Sequence, residues 1–284
     1  MEIDERGAQA ATMPWAHLRL PPFPQVAVRV LRLANNENVQ LNQLCDLISS
    51  DPAFASEVLT VANSLLYAPR YPSTSILQAI AVLGANTLQG MCVTVGVRAY
   101  LGKAMSYPSM RKLWRHNLAS AIIAQRIAAL GFIDKDMAYT CGILHDVGRM
   151  ALAVIRPRGY AALLETHHGA AATILEAERG LFGWDHCETG RKLVSDWGLP
   201  DEFESAIAEH HAARAGAAWD VTDLVKVSCA MAGAVGYAAF PGCETPSYAD
   251  LLEELPARER ALFEADAGAL AREVAANIDA IESV

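Results

Sequence analysis

Helix start and stop signals recur so closely along this chain that extended strands have no room to form. Asp51-Pro52 pairs an N-cap with proline at the first helical position, and Phe54, Val58, Val61, Ala62 and Leu65 then give the 3-4 spacing of a helix with one buried side. Ser75-x-x-Gln78 and Asp185-His-Cys-Glu188 are capping boxes, Ser247-x-x-Asp250 opens a short helix, and Asn86-x-x-Gln89 starts an apolar one running to about Leu101. Val26, Val30, Leu33 and Ala34 share one helical face, and Leu44, Leu47 and Ile48 share another. Period-two alternation is nearly absent and aromatics make up only 7% of residues. The expectation is an all-α protein.

A chain of 284 residues is long for one core and suits two packed helical lobes. Residues 1–19 are expected to be loosely held, and Leu20-Pro-Pro-Phe-Pro24 gives a stiff entry to a first lobe over 20–105. The break at Ser106-Tyr-Pro108 opens a second lobe over 106–240, and 241–284 forms a C-terminal extension with one amphipathic helix from about Arg258. Within the second lobe Leu113, Leu118, Ile122, Ile127 and Leu130 line one helix, Asp134-Lys-Asp136 opens the next, and Val221 to Tyr237 is a further apolar helix.

A net charge of −9 with no Lys/Arg cluster argues against nucleic acid, whose phosphates need a basic patch. Six scattered cysteines with no Cys-x-x-Cys pair read as reduced thiols in a cytoplasm. The longest apolar run, Cys229 to Phe240, is far short of the ~20 residues that a membrane span needs.

Chemistry concentrates around Gly142-Ile-Leu-His-Asp-Val-Gly-Arg149, which sets an imidazole beside a carboxylate inside an apolar helix. On a helix His145 and Asp146 project about 100° apart, so both can reach one ion, and the two oxygens of Asp146 can bridge two. The competing account has His145 bonded to a core carbonyl and Asp146 capping a neighbour. Five of the eight histidines, His116, His145, His186, His210 and His211, fall on four separate helical segments of the second half. Imidazoles converging from several helices on a carboxylate are how a helical bundle builds a transition-metal site. Against this, His210 lies three residues after Ile207 and is open to a core role, and His186 to an exposed first-turn role. His167 and His168, beside Gly169, read as an exposed loop.

Several motifs together resemble the HDOD family of bacterial signalling proteins, a branch of the HD phosphohydrolase superfamily. They are Leu20-Pro-Pro-Phe-Pro24, Asp51-Pro52, Ala62-Asn-Ser64 with Tyr67, and Ala79-Ile-Ala-Val-Leu-Gly84 in the first half. In the second half they are Gly142-Ile-Leu-His-Asp-Val-Gly148, Glu178 with Phe182-Gly-Trp-Asp-His186, Trp197-Gly-Leu-Pro200 and His210-His211. The resemblance covers about residues 18–240 and implies an N-terminal lobe peculiar to that family packed on an HD-type lobe.

By that resemblance to metal-bearing relatives such as HD-GYP phosphodiesterases, one metal would take His116, His145 and Asp146 with a late aspartate. A second would share Asp146 and take His186, His210 and His211. The late aspartate position falls on Cys229, while Asp223 sits about a turn and a half earlier and faces elsewhere. The Gly-Tyr-Pro loop expected after the histidine pair is replaced by Ala212-Ala-Arg-Ala-Gly216.

The expectation is therefore a bacterial, cytoplasmic regulatory module, non-catalytic, acting through contacts with signalling proteins, with one divalent ion held structurally by Asp146, His186, His210 and His211. The contact surface expected for it is the terminal helix or the groove between the lobes. Iron, zinc, manganese and nickel are the candidate ions. The alternative is a metal-dependent phosphohydrolase on a nucleotide or phosphoester, with Asp146 catalytic and Cys229 as a thiolate ligand. A third reading has a small nucleotide bound in the same cleft without chemistry.

Overall fold

The computed structural model describes residues 22–34, 41–64, 66–67, 69–199, 201–212 and 218–282. The expectations for residues 1–19, for Leu20-Pro21, Leu65 and Pro200, and for most of the loop after the histidine pair lie outside these residues.

The chain is all-α, as its pattern demands. The first helices are α1 (Gln25–Ala34), α2 (Leu41–Ser49), α3 (Pro52–Ala62), α4 (Ile76–Leu83) and α5 (Ala85–Leu101). A short 3-10 turn leads into α6 (Pro108–Ala128), followed by α7 (Lys135–Leu144), α8 (Val147–Ile155), α9 (Pro157–Thr166) and α10 (Ile174–Phe182). Then come α11 (His186–Asp196), α12 (Asp201–Glu209), α13 (Val221–Ala234), α14 (Tyr248–Glu254), α15 (Ala257–Leu262) and α16 (Ala267–Glu282). Asp51 accepts from the Ala53 and Phe54 amides, and Asp185 and Glu188 form the expected reciprocal box. Ser75 accepts from the Gln78 amide, but Gln78 Oε1 accepts from the Thr74 amide, so the box expected there is only half made.

Helix α6 is the axis of the bundle, packing against α7, α13 and α16, while α11 lies against α8 and α12. The early helices join this assembly through α5, which touches α1, α3 and α4 on one side and α7 and α8 on the other. A second tie is Phe23, whose ring stacks 4.5 Å from that of Trp197 at the end of α11.

Several local expectations need correction. His145 and Asp146 do not lie inside one helix: His145 ends α7, and Asp146, at φ −100° and ψ 18°, starts α8. The apolar helix after Gly84 begins without a side-chain cap, Gly84 itself taking φ +89°. Helix α13 stops at Ala234 because Gly236 adopts φ +101°, which lets the Tyr237 amide reach back to the Ala232 carbonyl at 2.8 Å. The terminal helix is two helices, since Asp266 caps a fresh start by accepting from the Gly268 and Ala269 amides. The His167-Gly169 connection is also more than a loop: β1 (His168–Ala170) pairs in parallel with β2 (Gly242–Glu244). His167 is half-buried there, bonded to Thr173, and only His168 is exposed.

Candidate metal centre

Two close helix approaches assemble the centre, and each needs a glycine. A Cβ on Gly142 would stand 2.6 Å from the Ala121 Cα, so only hydrogen there lets α7 lie against α6, which carries His116. A Cβ on Gly148 would stand 1.9 Å from the His186 carbonyl oxygen, so α8 reaches the start of α11 by the same means. Asp146 thereby sits between His116 and His145 on one side and His186 and His210 on the other.

The imidazoles are oriented by what their outer nitrogens bond. Nδ1 of His116 meets the Tyr237 carbonyl at 2.6 Å, Nδ1 of His145 the Gly142 carbonyl at 2.7 Å, and Nδ1 of His210 the Ile207 carbonyl at 2.9 Å. Nδ1 of His186 meets Glu178 Oε2 at 2.6 Å. These acceptors require a donor, so Nδ1 carries the proton, and Nε2 of the neutral His116, His145 and His210 rings turns a lone pair inward, while His186, set against a carboxylate, is held as a cation. Outer-nitrogen bonds of this kind fix the tautomer of metal-binding histidines. The competing reading of His145, a ring bonded to a core carbonyl, is thus realised by the same contact that frees its other nitrogen.

Asp146 divides its two oxygens between two groups of donors. Oδ2 lies 3.9 Å from His116 Nε2 and 3.6 Å from His145 Nε2, and Cys229 Sγ lies 3.4 Å from His116 Nε2. Oδ1 lies 3.4 Å from His186 Nε2 and 3.5 Å from His210 Nε2, and His211 Nε2 is 3.1 Å from His186 Nε2. The donors of His116, His145 and Cys229 converge, as do those of Asp146, His186, His210 and His211. All six expected ligands and Cys229 are therefore brought together. Asp223 is not: it lines a separate cavity with Trp219, Lys226 and Glu253.

The two groups differ in their fit to an ion. On the Cys229 side His145 Nε2 and Asp146 Oδ2 are buried with no hydrogen-bond partner. Buried polar atoms are rarely left so, and an ion would satisfy both. On the His211 side a cation is already present. Arg149, only 1% exposed, donates from Nε to Asp146 Oδ1 at 2.9 Å and places Nη2 3.4 Å from His211 Nε2, while its Nη1 has no partner. The role of Arg149 was not read from the sequence, although its spacing three residues after Asp146 at a helix start is the signal that pairs such side chains.

Ionisation follows from these contacts. Burial pushes the Asp146 carboxyl up, but Arg149 and His145 outweigh it and hold the group well below the usual range. Burial lowers His145 to about 3, keeping it neutral. Burial and Arg149 lower His186, yet the Glu178 carboxylate prevails and raises it to about 10. Glu178 is itself buried, receiving the Tyr160 hydroxyl at 2.6 Å and the His186 amide at 2.8 Å.

Most of the centre is closed from outside, although His211 is half-buried and lines a cavity of about 260 Å³ with Arg179, Asp185 and Arg191. His116, His145, Asp146, His186 and His210 are each 2% exposed or less. The segment after α13 lies over them, with the Phe240 ring 6.0 Å from the Arg149 guanidinium carbon. The adjoining cavity, lined by His116, Arg149 and Cys229, holds about 130 Å³.

Comparison with known proteins places this geometry in a family. The HDOD domain family matches residues 20–213. An HDOD domain protein of unknown function from Geobacter sulfurreducens shares 26% identity at a TM-score of 0.68, covering 93% of this chain and 92% of that one. A protein from Marinobacter aquaeolei VT8, provisionally assigned to signal transduction, shares the fold at 22% identity and a TM-score of 0.71, covering 93% of this chain and 59% of that one. An uncharacterised protein of Treponema pallidum is 26% identical over 198 residues, 68% of this chain, and the chain spans 37% of its length.

Proposed function

The chain belongs to the HDOD family, and from that premise we propose that it is a non-catalytic regulatory module that acts through contacts with signalling proteins and uses a degenerate HD-type centre for structure. The closure of the centre carries this reading. A phosphoester must meet the attacking oxygen and the ions together, yet the Asp146 carboxylate and four of the imidazoles are each 2% exposed or less, beside a cavity of about 130 Å³. Pockets that hold small-molecule ligands run to roughly 300–1,000 Å³, so a nucleotide does not fit beside Asp146 without displacing the 237–246 segment.

His116, His145 and Cys229, whose donors converge, would hold a divalent ion with Asp146, whose Oδ2 lies beside the two imidazoles. Such an ion supplies Lewis-acid polarisation and a nucleophilic oxygen at neutral pH when it has an open position. Here the approach is the cavity of about 130 Å³ bordered by His116 and Cys229, and the role proposed for the ion is to tie α6, α7 and α13 together. No helix among the described residues is long and apolar enough to cross a membrane.

The reading is tested by reconstituting the protein with zinc, manganese, iron or nickel and screening nucleotides and phosphoesters for hydrolysis. The expected outcome is no turnover above the metal-only background. Turnover that Asp146→Ala abolishes would establish the phosphohydrolase reading instead. A thermal-shift titration with common nucleotides covers the remaining reading, because a ligand that binds only the folded state raises Tm; no shift is expected.

A further inference from the structure

We infer that the guanidinium of Arg149 holds the place of a second ion, so that the centre takes a single divalent ion on His116, His145, Asp146 Oδ2 and Cys229. This deepens the structural reading of the centre. It also moves the ion away from the Asp146, His186, His210 and His211 group that the sequence favoured.

The first ground is occupancy. Of the four donors on the His211 side, Asp146 Oδ1 and His211 Nε2 are both engaged by Arg149, at 2.9 Å and 3.4 Å. The guanidinium has no easy way out, since the side chain is 1% exposed and Phe240, equally buried, covers it. On the opposite side nothing intervenes, and His145 Nε2 and Asp146 Oδ2 lack any partner.

Spacing is the second ground. With metal–nitrogen bonds of about 2.0–2.1 Å and metal–sulfur bonds of about 2.3 Å, tetrahedral donors stand roughly 3.3–3.6 Å apart. The separations of 3.4 Å between Cys229 Sγ and His116 Nε2 and 3.6 Å between His145 Nε2 and Asp146 Oδ2 match that figure, and 3.9 Å between His116 Nε2 and Oδ2 is within easy adjustment. Two imidazoles and a thiolate converge, and Asp146 Oδ2 stands beside both imidazole nitrogens, which gives the mixed nitrogen, sulfur and oxygen donors that suit zinc.

Charge balance is the third. The buried acids that bond the centre's own side chains are Asp146 and Glu178, and a metal-bound Cys229 would be a thiolate. Three negative groups then face one divalent ion, the guanidinium and the His186 imidazolium that pairs with Glu178. A second divalent ion would add two further positive charges to the interior, a costly state.

The experiment uses the whole chain, stripped with chelator and reloaded with cobalt(II) or zinc(II), with bound metal measured by mass spectrometry and cobalt geometry by absorption. The wild type is expected to bind about one equivalent and to show a thiolate-to-cobalt charge-transfer band, which Cys229→Ser removes. Arg149→Met is expected to bind about two equivalents, and Arg149→Lys, which keeps the positive charge, about one. No ion, two ions or a bound cobalt without the thiolate band in the wild type would overturn the inference, as would a folded Arg149→Met that stays at one. Should Arg149→Met fail to fold by circular dichroism, the wild-type count and the band still decide. These readouts contain no turnover, so hydrolysis in the separate screen would defeat the non-catalytic reading without touching the ion count.

Discussion

Three of the four inward-turned imidazoles are held by backbone carbonyls, and His186 alone is held by a buried carboxylate. Glu178 spends Oε2 on the His186 amide and ring, which leaves Oε1 to the Tyr160 hydroxyl alone. Tyr160→Phe therefore strips a buried anion of one of its few donors. Hydrogen bonds to charged groups contribute about 1.5–3 kcal/mol, and a loss of that size is expected in urea unfolding; a change under about 0.5 kcal/mol would mean that Oε1 finds another donor. At this scale the sequence was legible for groups whose residue type announces metal chemistry. His116, His145, Asp146, His186, His210, His211 and Cys229 were all named, and all meet. Arg149 was not assigned a role, because an arginine in a helix is ordinarily a solvated side chain and nothing local to Asp146-Val-Gly-Arg149 shows that Phe240 will bury it.

Helices were legible where a cap or proline marked them, and illegible where long-range packing decided. The turn at His145-Asp146 has no proline and no left-handed glycine, so the apolar run on both sides reads as one helix. What bends it is the need for α7 to lie on α6 and for α8 to lie on α11, contacts separated by tens of residues. The break before α16 was missed for a related reason, since its stop and the new cap at Asp266 interrupt an apolar pattern that itself continues. Two glycines of similar helical context separate these effects. A Cβ on Gly180 in α10 would meet nothing within 4 Å, so Gly180→Ala should stabilise by about 0.5–1 kcal/mol through helix propensity alone. Gly148→Ala must push α8 away from the His186 carbonyl, and overpacking costs of about 1–3 kcal/mol or more should exceed that gain. Urea midpoints and metal content of both variants check this: Gly148→Ala is expected to lose stability and ion together, Gly180→Ala neither. A Gly148→Ala protein as stable as the parent would show that the α8–α11 gap is softer than its backbone contacts imply.

Across the whole molecule, the centre is where separately formed pieces become one body. His116 comes from α6, His145 and Asp146 from the α7–α8 junction, and Cys229 from α13. The early helices reach this junction through α5, and Phe23 reaches α11 through Trp197. The buried apolar residues form one cluster running from Phe23 to Ile281. An ion bound across α6, α7 and α13 should therefore raise the stability of the entire described body and not of one corner. Ligand at a hundred times its Kd adds about 2.7 kcal/mol to a folded state that alone binds it, which for a chain of this size is a Tm increase of roughly 4–5 °C. The increase should be the same by far-ultraviolet circular dichroism, which reports every helix, and by tryptophan fluorescence, which draws on five tryptophans, among them Trp114 in α6 and Trp197 beside α1. It should vanish in Cys229→Ser at the same metal concentration. If zinc moved the fluorescence transition but left the circular dichroism transition where it was, the ion would be stabilising only its own neighbourhood, and the two halves of the bundle would be unfolding independently.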